Sequence, residues 1–401
     1  MAKLKFVLVG TGRIATLHVA GYKGHPSAQL WGVQDINKAA AEKFAQEHGV
    51  PKVYNTYDEI LADPEVAAVE LLIPHHLHCE YTVKACQAGK HVSVQKPMAL
   101  NLEQCDQMIA VAKEHNVKLK VYENFVFYPP YQFAKKLLDD GEIGTPKGIR
   151  LKMNNAGLAS NNVPIDKKVK RGDVPAGEKV QKTGWEIDPK SWLWRFNETL
   201  SGGGPTVFDD GYHKFSIAIY LLGDIEKVCA WIDKTQIIPG VYNDSPATIM
   251  WKYKRDHPLY GVWDIMSSEE MYVQSKYYTC DERVEITGSR GVIWITRCTA
   301  TMLENVAPVV MYRDGEVIEY WDMKHDWADS FEASTLDFIE SVVNDRKPVL
   351  TGERGRDVMK FALAAMDSSN KKQEVYLDDY EDKALLKQRG LLGSLFGGKK
   401  R

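Results

Sequence analysis

Short apolar runs alternate with amphipathic stretches along the first 125 residues of the chain. The runs predict five strands, because continuous apolar segments of this length are typical of buried parallel strands. They lie at 4–10, 28–35, 66–74, 91–95 and 117–124. The stretches between them predict helices, at 14–23, 38–49, 57–64, 78–89 and 101–116. This alternation favours an α/β fold with a doubly wound parallel sheet over residues 1–124.

The pattern changes beyond residue 145. A strand is predicted at 145–153, and strand-like runs follow one another within 227–321, which favours a large, mostly antiparallel open sheet. Helices are predicted at 206–222, 328–344 and 353–370. We therefore place a second α/β domain at 125–380. The polar segment 154–200 is expected to be a long loop with a mobile start, and the basic, Gly-rich segment 381–401 a flexible tail.

Composition narrows the classes of function. The 401 residues carry a net charge of −3 at pH 7, so nothing attracts nucleic acid or an anionic membrane. No apolar run approaches the ~20 residues that a membrane-spanning helix needs. The six cysteines are scattered without a Cys-x-x-Cys pair or zinc spacing, so we expect reduced thiols in a cytoplasmic protein.

A glycine-rich turn follows the first predicted strand. In VGTGRIA, Gly10, Gly12 and Ala15 match the G-x-G-x-x-[GA] pattern, which allows a tight turn, close approach of a pyrophosphate and close helix–strand packing. Asp35 ends the second strand, where its carboxylate can bind both ribose hydroxyls and would repel a 2′-phosphate. The sequence therefore predicts NAD rather than NADP, with contacts from Gly10, Gly12, Arg13, Ile14 and Asp35.

The segment IPHHLHCE follows the third predicted strand, at the edge of the sheet where ligands bind. Its H-H-x-H spacing has no carboxylate or thiolate cluster beside it, which does not suit a zinc site. Contact with the cofactor, and capping of the next helix by His78, are the better interpretations. The predicted cofactor contacts of this segment are Ile73, Pro74, His75 and His78.

Asp209 and His213 lie four residues apart where a helix is predicted, so they share one face if the helix has begun. A histidine beside a carboxylate is held in one orientation, and its pKa is raised toward neutrality. A general base for an alcohol proton needs both properties. A structural histidine with satisfied hydrogen bonds is the alternative interpretation.

Four motifs in order, GTGRIA, IPHHLH, QKP and DDGYH, resemble those of the Gfo/Idh/MocA oxidoreductases over about residues 4–377. The resemblance implies a Rossmann domain that binds NAD, and a C-terminal domain that carries the substrate and the oligomer interface. It implies that Lys96 stands beside the nicotinamide and the substrate hydroxyl, in a cis Lys96–Pro97 peptide. It further implies His213 as the proton acceptor and Asp209 as the residue that orients the substrate or the histidine.

The same resemblance suggests cofactor contacts from Gln95 and Asn124 and a substrate contact from Tyr212. Three positions depart from the family pattern. Gln95 replaces the glutamate of E-K-P, Val126 replaces an arginine, and Ser216 replaces an aspartate. These departures leave the NAD prediction intact and leave the substrate open.

The end of the long loop, WEIDPKSWLWRF, is rich in tryptophan and directly precedes the flexible stretch SGGGP. We expect Trp194 or Arg195 to line the substrate pocket and to set substrate choice, with Trp185 and Trp192 as further stacking surfaces. Packing of these tryptophans in the core or against another subunit is the alternative.

The predicted function is hydride transfer between nicotinamide and a secondary hydroxyl of a sugar, glycoside or cyclic polyol, with C3 of a pyranose as one candidate position. Two enzymatic alternatives stay open: a glycoside-cleaving enzyme that oxidises, eliminates and reduces with no net redox change, and a transhydrogenating oxidoreductase with tightly bound NAD. A non-catalytic dinucleotide sensor is disfavoured by the joint presence of Lys96, Asp209 and His213. A homo-oligomer formed through the C-terminal sheet is expected from the resemblance.

Overall fold

The computed structural model describes residues 3–155, 185, 192–268, 271 and 273–382. Most of the predicted loop 154–200 and of the predicted tail 381–401 lies outside the described residues. Within the described ranges, no helix is long and apolar enough to cross a lipid bilayer.

The N-terminal sheet is parallel and has six strands in the order β3-β2-β1-β4-β5-β6. The strands are β1 (Leu4–Val9), β2 (Ala28–Gln34), β3 (Lys52–Val53), β4 (Val66–Leu71), β5 (His91–Gln95) and β6 (Leu119–Tyr122). All five predicted strands are confirmed, and the two-residue β3 is too short to leave a periodic signal. Strand order reverses beside β1, which leaves a crevice at the carboxyl ends of the strands.

Helices connect these strands as predicted. They are α1 (Ala15–His18), α2 (Lys38–His48), α3 (Tyr57–Ala62), α4 (His78–Gln87) and α5 (Leu102–Glu114). Helix α1 continues directly into a 3₁₀ turn, Val19–Tyr22. The side chains of Asn37, Thr56 and Asn101 each accept a first-turn backbone N–H and so fix the starts of α2, α3 and α5.

The second sheet has nine strands in the order β16-β15-β14-β13-β7-β12-β11-β8-β17, with a separate β9–β10 hairpin. The strands are β7 (Pro146–Asn155), β8 (Ile225–Ile232), β9 (Thr235–Ile238), β10 (Val241–Asn243), β11 (Ala247–Tyr253), β12 (Tyr260–Ser267), β13 (Cys280–Gly288), β14 (Gly291–Ile295), β15 (Val309–Arg313), β16 (Glu316–Tyr320) and β17 (Val375–Tyr376). The pairing of β7 with β12 is parallel, and every other pairing in this sheet is antiparallel. The predicted mostly antiparallel sheet is therefore confirmed.

The helices of the second half are α6 (Pro129–Asp139), α7 (Glu198–Ser201), α8 (Gly211–Leu222), α9 (Trp327–Val343) and α10 (Gly352–Lys371). A π-helical turn, Pro205–Asp210, leads into α8. The predicted helices near 206–222, 328–344 and 353–370 are confirmed. Helix α6 was not predicted; two prolines open it, and they are tolerated there because the first-turn N–H groups have no intrahelical partner.

Helix α9 comes late in the chain but packs on the N-terminal sheet. Phe338 and Ile339 share one buried cluster with Phe6 of β1. The Tyr122 hydroxyl at the end of β6 donates to the Phe331 carbonyl at 2.8 Å. The carboxyl end of β6 is thereby fixed by a helix distant in sequence.

Candidate active site

The glycine turn after β1 has the shape that a bound phosphate requires. Gly10 has φ +99°, and a Cβ there would lie 2.3 Å from the Leu72 carbonyl oxygen, so only glycine fits. A Cβ on Gly12 would meet no atom within 4 Å, so the space above the turn is open. Ala15 is fully buried in the core. These features fit the pyrophosphate of NAD at the turn.

Asp35 lies beside this turn at the end of β2. Its carboxylate accepts the backbone N–H and the hydroxyl of Thr11 at 2.8 and 3.0 Å, and the Asn37 N–H at 2.8 Å. The carboxylate predicted to bind the ribose is therefore held rigidly against the glycine turn.

Two further predicted cofactor contacts belong to the glycine turn. Ile14 packs, partly buried, against the core, and the Arg13 guanidinium lies 5.3 Å from the centre of the Trp185 ring.

Lys96 follows β5 at the carboxyl edge of the sheet, and the Lys96–Pro97 peptide is cis, as the resemblance implies. Its ammonium donates to the Asp209 carbonyl at 2.7 Å and to Asp209 Oδ1 at 2.8 Å. The side chain of Lys96 keeps 14% of its surface exposed. The fold thus brings Lys96 and Asp209 together from distant parts of the chain and leaves a part of the lysine side chain exposed.

Asp209 lies among positive groups. Its Oδ2 accepts a hydrogen bond from Arg195, and His75 Nε2 lies 3.6 Å from Oδ1. Burial opposes ionisation of this carboxyl, but the positive charges of Arg195 and Lys96 outweigh it and hold the pKa of Asp209 well below its usual range. Asp209 is therefore a carboxylate that fixes two cations.

The predicted pairing of Asp209 with His213 is wrong. Asp209 lies in the π-helical turn, where the i, i+4 spacing of an α-helix does not apply, so the two side chains do not share a face. His213 Nδ1 instead lies 2.7 and 2.8 Å from the two carboxylate oxygens of Glu123. The Phe125 ring stacks on the imidazole at 4.1 Å. The histidine does have a carboxylate that orients it, but that carboxylate comes from the residue after β6.

The electrostatics of this pair also differ from the prediction. Burial, with help from Lys96 and Lys214, lowers the pKa of His213 instead of raising it. Burial raises the pKa of Glu123 to about 8. We infer that the pair titrates as a unit. Above that pH it holds one proton, on Nδ1, and below it the pair takes up a second proton and the basic lone pair on Nε2 is lost.

His75 and His78, after β4, form hydrogen bonds to backbone carbonyls around the site that the sequence does not predict. His75 Nδ1 donates to the Ser201 carbonyl at 2.8 Å, and burial lowers the pKa of His75 to about 3. His78 lies 2.9 Å from the carbonyl oxygens of both Ile73 and Pro97, and so joins the loops after β4 and β5. The predicted capping role of His78 is wrong, because α4 begins without a side-chain capping bond.

Pro74 directly precedes the 3₁₀ turn that carries His75. Gln95 ends β5 and is partly buried; its Oε1 accepts the Lys96 N–H at 3.0 Å. Both residues therefore shape the loops around Lys96.

Two predicted contacts are not gathered around Lys96. Tyr212 is fully buried, and its hydroxyl donates to the Gly355 carbonyl of α10 at 3.0 Å, which corrects the predicted substrate contact. Asn124 is buried and donates to the Ser330 hydroxyl of α9 at 2.8 Å. Both side chains anchor the crevice to the C-terminal helices.

Aromatic side chains surround Arg195. Its guanidinium lies 4.8 Å from the ring centres of both Trp192 and Trp194. Trp194 in turn contacts His75 edge to face, with ring centres 4.7 Å apart. The structure therefore places Arg195 on Asp209 and Trp194 against both Arg195 and His75.

Two residues of the site, Glu123 and Phe125, were not predicted from the sequence. Glu123 directly follows β6, and a charged side chain at the carboxyl end of a parallel strand is a recognisable signal for a site. Phe125 carries no such signal, because only the packed structure brings its ring against His213.

Comparisons with known proteins agree with this architecture. The model of the Gfo/Idh/MocA oxidoreductase family with an NAD-binding Rossmann fold matches residues 4–123, and the model of its C-terminal alpha/beta domain matches residues 176–377. The chain is 25% identical to myo-inositol 2-dehydrogenase of Thermotoga maritima over 94% of this chain and 99% of the relative. It is 26% identical to levoglucosan dehydrogenase of Pseudarthrobacter phenanthrenivorans over 60% and 57% of the two chains.

Among solved structures, levoglucosan dehydrogenase in complex with NADH and levoglucosan superimposes with a TM-score of 0.74 at 19% identity, over 94% of this chain and 100% of that one. The motifs, the two-domain fold and the two family models thus agree. The chain belongs to the Gfo/Idh/MocA family of NAD-binding oxidoreductases.

Proposed function

We propose that the protein transfers hydride between NAD and a secondary hydroxyl of a sugar, glycoside or cyclic polyol. The observation that supports this most strongly is the convergence of Lys96, Asp209 and the His213–Glu123 pair beside the carboxyl edge of the NAD-binding sheet. An ammonium for the reacting oxygen and an imidazole for its proton are the two groups that alcohol oxidation needs.

NAD, when bound, supplies the hydride acceptor. His213 accepts the hydroxyl proton at Nε2, because Nδ1 is engaged by Glu123 and no described residue is hydrogen-bonded to Nε2. Glu123 then stabilises the imidazolium. Lys96 stabilises the negative charge that develops on the substrate oxygen. Asp209 holds the Lys96 ammonium in place, and Arg195 shares the charge of that carboxylate.

The substrate class is supported by the surroundings of Asp209 and by the relatives. Trp194 and Arg195 offer a stacking surface and hydrogen-bond donors, which suit a ring that bears several hydroxyls. Relatives named for myo-inositol and levoglucosan act on cyclic compounds of this kind. We therefore assign Trp194 and Arg195 to substrate choice, with cofactor choice left to Asp35.

A substrate screen tests the proposal. The purified protein is incubated with NAD and a panel of inositols, free sugars, anhydrosugars and glycosides, and NADH is followed at its absorbance maximum while products are separated. Stoichiometric NADH with a keto product is expected. A free sugar formed from a glycoside with only catalytic NAD would reassign the protein to glycoside cleavage. Absence of turnover on every compound would overturn the proposal.

Cofactor preference is tested in the same assay. NADP should support a much lower kcat/KM than NAD, because its 2′-phosphate would meet the Asp35 carboxylate. Asp35→Ser should narrow this gap. Equal or better turnover with NADP in the unmodified protein would contradict the role given to Asp35.

We also propose that copies of the chain associate through the open face of the nine-stranded sheet. Large apolar side chains are exposed on its outer face, including Trp231, Met250 and Tyr260, of which Tyr260 keeps 56% of its surface exposed. Light scattering of the protein and of Trp231→Lys/Tyr260→Lys tests this. A monomeric mass for the unmodified protein would contradict it.

A further inference from the structure

A carboxylate is buried inside the NAD-binding sheet, away from the groups that touch the substrate. Glu70 lies in β4 between Val69 and Leu71 and has no exposed surface. Buried parallel strands are normally apolar throughout, so a glutamate there is out of pattern. Burying a carboxylate is costly unless its oxygens are hydrogen-bonded. The partners of Glu70 therefore indicate why the residue is there.

Those partners form a chain that ends at Lys96. Glu70 Oε1 accepts the Tyr22 hydroxyl, and Glu70 Oε2 lies 2.9 Å from His18 Nδ1. On the other side of the ring, His18 Nε2 lies 3.2 Å from the amide nitrogen of Gln95. The Gln95 oxygen accepts the Lys96 backbone N–H at 3.0 Å. A buried carboxylate is thus linked through one imidazole and one amide to the backbone of Lys96.

The donor in each hydrogen bond of this chain follows from the Lys96 N–H, at which the chain ends. The Lys96 N–H is a donor, so it must meet the oxygen of Gln95, and the Gln95 NH₂ must then point at His18. His18 Nε2 is therefore the acceptor, and the proton lies on Nδ1 and is donated to Glu70. The chain therefore has one consistent set of proton positions, in which the Glu70 carboxylate faces Nδ1 of His18 and the neutral Gln95 amide faces Nε2.

Packing holds the histidine as well. The ring of His18 is fully buried and stacks on Tyr122 with ring centres 3.9 Å apart. Burial and the Glu70 charge raise the pKa of Tyr22, so its hydroxyl remains a donor to the carboxylate. Tyr122 ends β6, directly before Glu123. The chain is therefore bonded to the backbone of Lys96 and packs against Tyr122, the residue directly before Glu123.

We propose that Glu70 and His18 are positioning residues for Lys96, acting through Gln95. They hold the amide of Gln95 in one orientation, and the amide fixes the backbone from which the Lys96 ammonium extends. This inference rests on the proposed function in so far as Lys96 acts on the substrate oxygen. A purely structural buried network is the competing explanation. The two explanations predict different values of kcat when the carboxylate is placed at position 95 and the amide at position 70, on opposite sides of His18.

The test exchanges the carboxylate of Glu70 and the amide of Gln95, which lie on opposite sides of His18. Gln95→Glu alone puts carboxylates on both sides of His18, whereas a neutral imidazole has a single N–H to donate. Glu70→Gln alone leaves buried amide hydrogens without acceptors. Glu70→Gln/Gln95→Glu restores one carboxylate and one amide, with the His18 proton moved to Nε2. Each hydrogen bond from Tyr22 to Lys96 can then form again with the roles of positions 70 and 95 exchanged, and one hydrogen of the buried amide at position 70 is left without an acceptor.

Three measurements are made on each variant. The first is kcat with the substrate found in the screen. We expect each single variant to lose about 10- to 100-fold, because small displacements of a catalytic group are costly, and the double variant to recover most of that loss. The second is the His18 tautomer from ¹⁵N-labelled histidine, expected on Nδ1 in the unmodified protein and on Nε2 in the double variant. The third is hydrogen exchange of the ¹⁵N-labelled Lys96 amide, expected to be faster in both single variants.

A matched control is available in the same chain. Glu340 also accepts from a histidine, His25, at 3.1 Å, but the carboxylate is 39% exposed and lies on α9. Glu340→Gln makes the same chemical change beside a histidine and should leave kcat and Lys96 amide exchange unchanged.

The outcomes separate the possibilities. Recovery of kcat and of Lys96 protection in the double variant supports the proposal. Single variants that lose thermal stability but keep kcat and Lys96 protection would overturn it in favour of a structural network, and so would a double variant no better than the worse single one. If no substrate is found, the proposed function fails separately, while the tautomer and Lys96 exchange still decide the positioning chain.

Discussion

Two buried histidine–glutamate pairs lie side by side in this molecule and differ in one respect. His18 and His213 each present Nδ1 to a glutamate at or near the carboxyl end of a strand, Glu70 in β4 and Glu123 after β6. Nε2 of His18 is occupied by Gln95, whereas no described residue is hydrogen-bonded to Nε2 of His213. We infer that the same pair of side chains positions Lys96 where both ring nitrogens are occupied, and is suited to acid–base chemistry where no described residue is bonded to Nε2.

Lys96 connects the two pairs. Its backbone N–H is bonded to Gln95 on the side of His18, and its ammonium lies on Asp209 on the side of His213. The positive charge of Lys96 also contributes to the lowered pKa of His213. Substituting either histidine, or the lysine between them, therefore tests whether the two pairs differ in role.

The largest effect is expected from His213→Ala. Removing the proposed base should lower kcat for alcohol oxidation by about 10²–10⁴-fold, the range typical of a lost general base. The matched control is His25→Ala, which removes another histidine paired with a glutamate. Steady-state kinetics checks this, and retention of near wild-type kcat in folded His213→Ala would move the base to another group, with Lys96 the first candidate.

Lys96→Ala comes next. Loss of one charge-stabilising donor should lower kcat by about 10²–10³-fold and leave NAD binding largely intact, since the role proposed for the ammonium lies in the transition state. Lys84→Ala on the exposed face of α4 serves as the control, because that lysine pairs with Glu80 on the surface. NAD binding is followed by fluorescence titration, and an undiminished kcat would refute the role of Lys96.

Glu123→Gln tests the coupled titration of the reactive pair. In the unmodified protein the oxidation rate should rise as pH increases through about 8, where Glu123 and His213 lose the second proton. In the variant this acid limb should move below pH 6.5, because only a histidine with a lowered pKa titrates. The plateau should fall by about 10- to 100-fold, as the imidazolium loses a hydrogen bond to a charged group. An unmoved limb would contradict the pairing.

The smallest effect is expected at the substrate contacts. Trp194→Ala should raise KM for the sugar or polyol by about 3- to 10-fold, in line with the loss of one aromatic contact, with NAD affinity unchanged. Arg195→Ala should raise KM and also lower kcat, because Arg195 shares Asp209 with Lys96. Normal KM with a reduced oligomer size would instead place these residues at a subunit interface.

Sequence alone determined the features that depend on neighbours along the chain. The alternating strands and helices, the Gly10–Gly12 turn, Asp35 at the end of β2 and Lys96 at the end of β5 all follow from local periodicity and backbone geometry. The two-residue β3 is too short to leave a periodic signal, and α6 was not predicted although the stretch that its two prolines open is amphipathic.

Only the tertiary structure decided which side chains meet. Glu123 lies 90 residues before His213, and Asp209 lies 113 residues after Lys96, so no local pattern links either pair. The strand order brings the carboxyl ends of β4, β5 and β6 together, and the π-helical turn directs Asp209 toward Lys96 instead of His213. Sequence periodicity records which face of an element is buried, whereas hydrogen-bond partners depend on which elements become neighbours, and that is set by the packing of the whole chain.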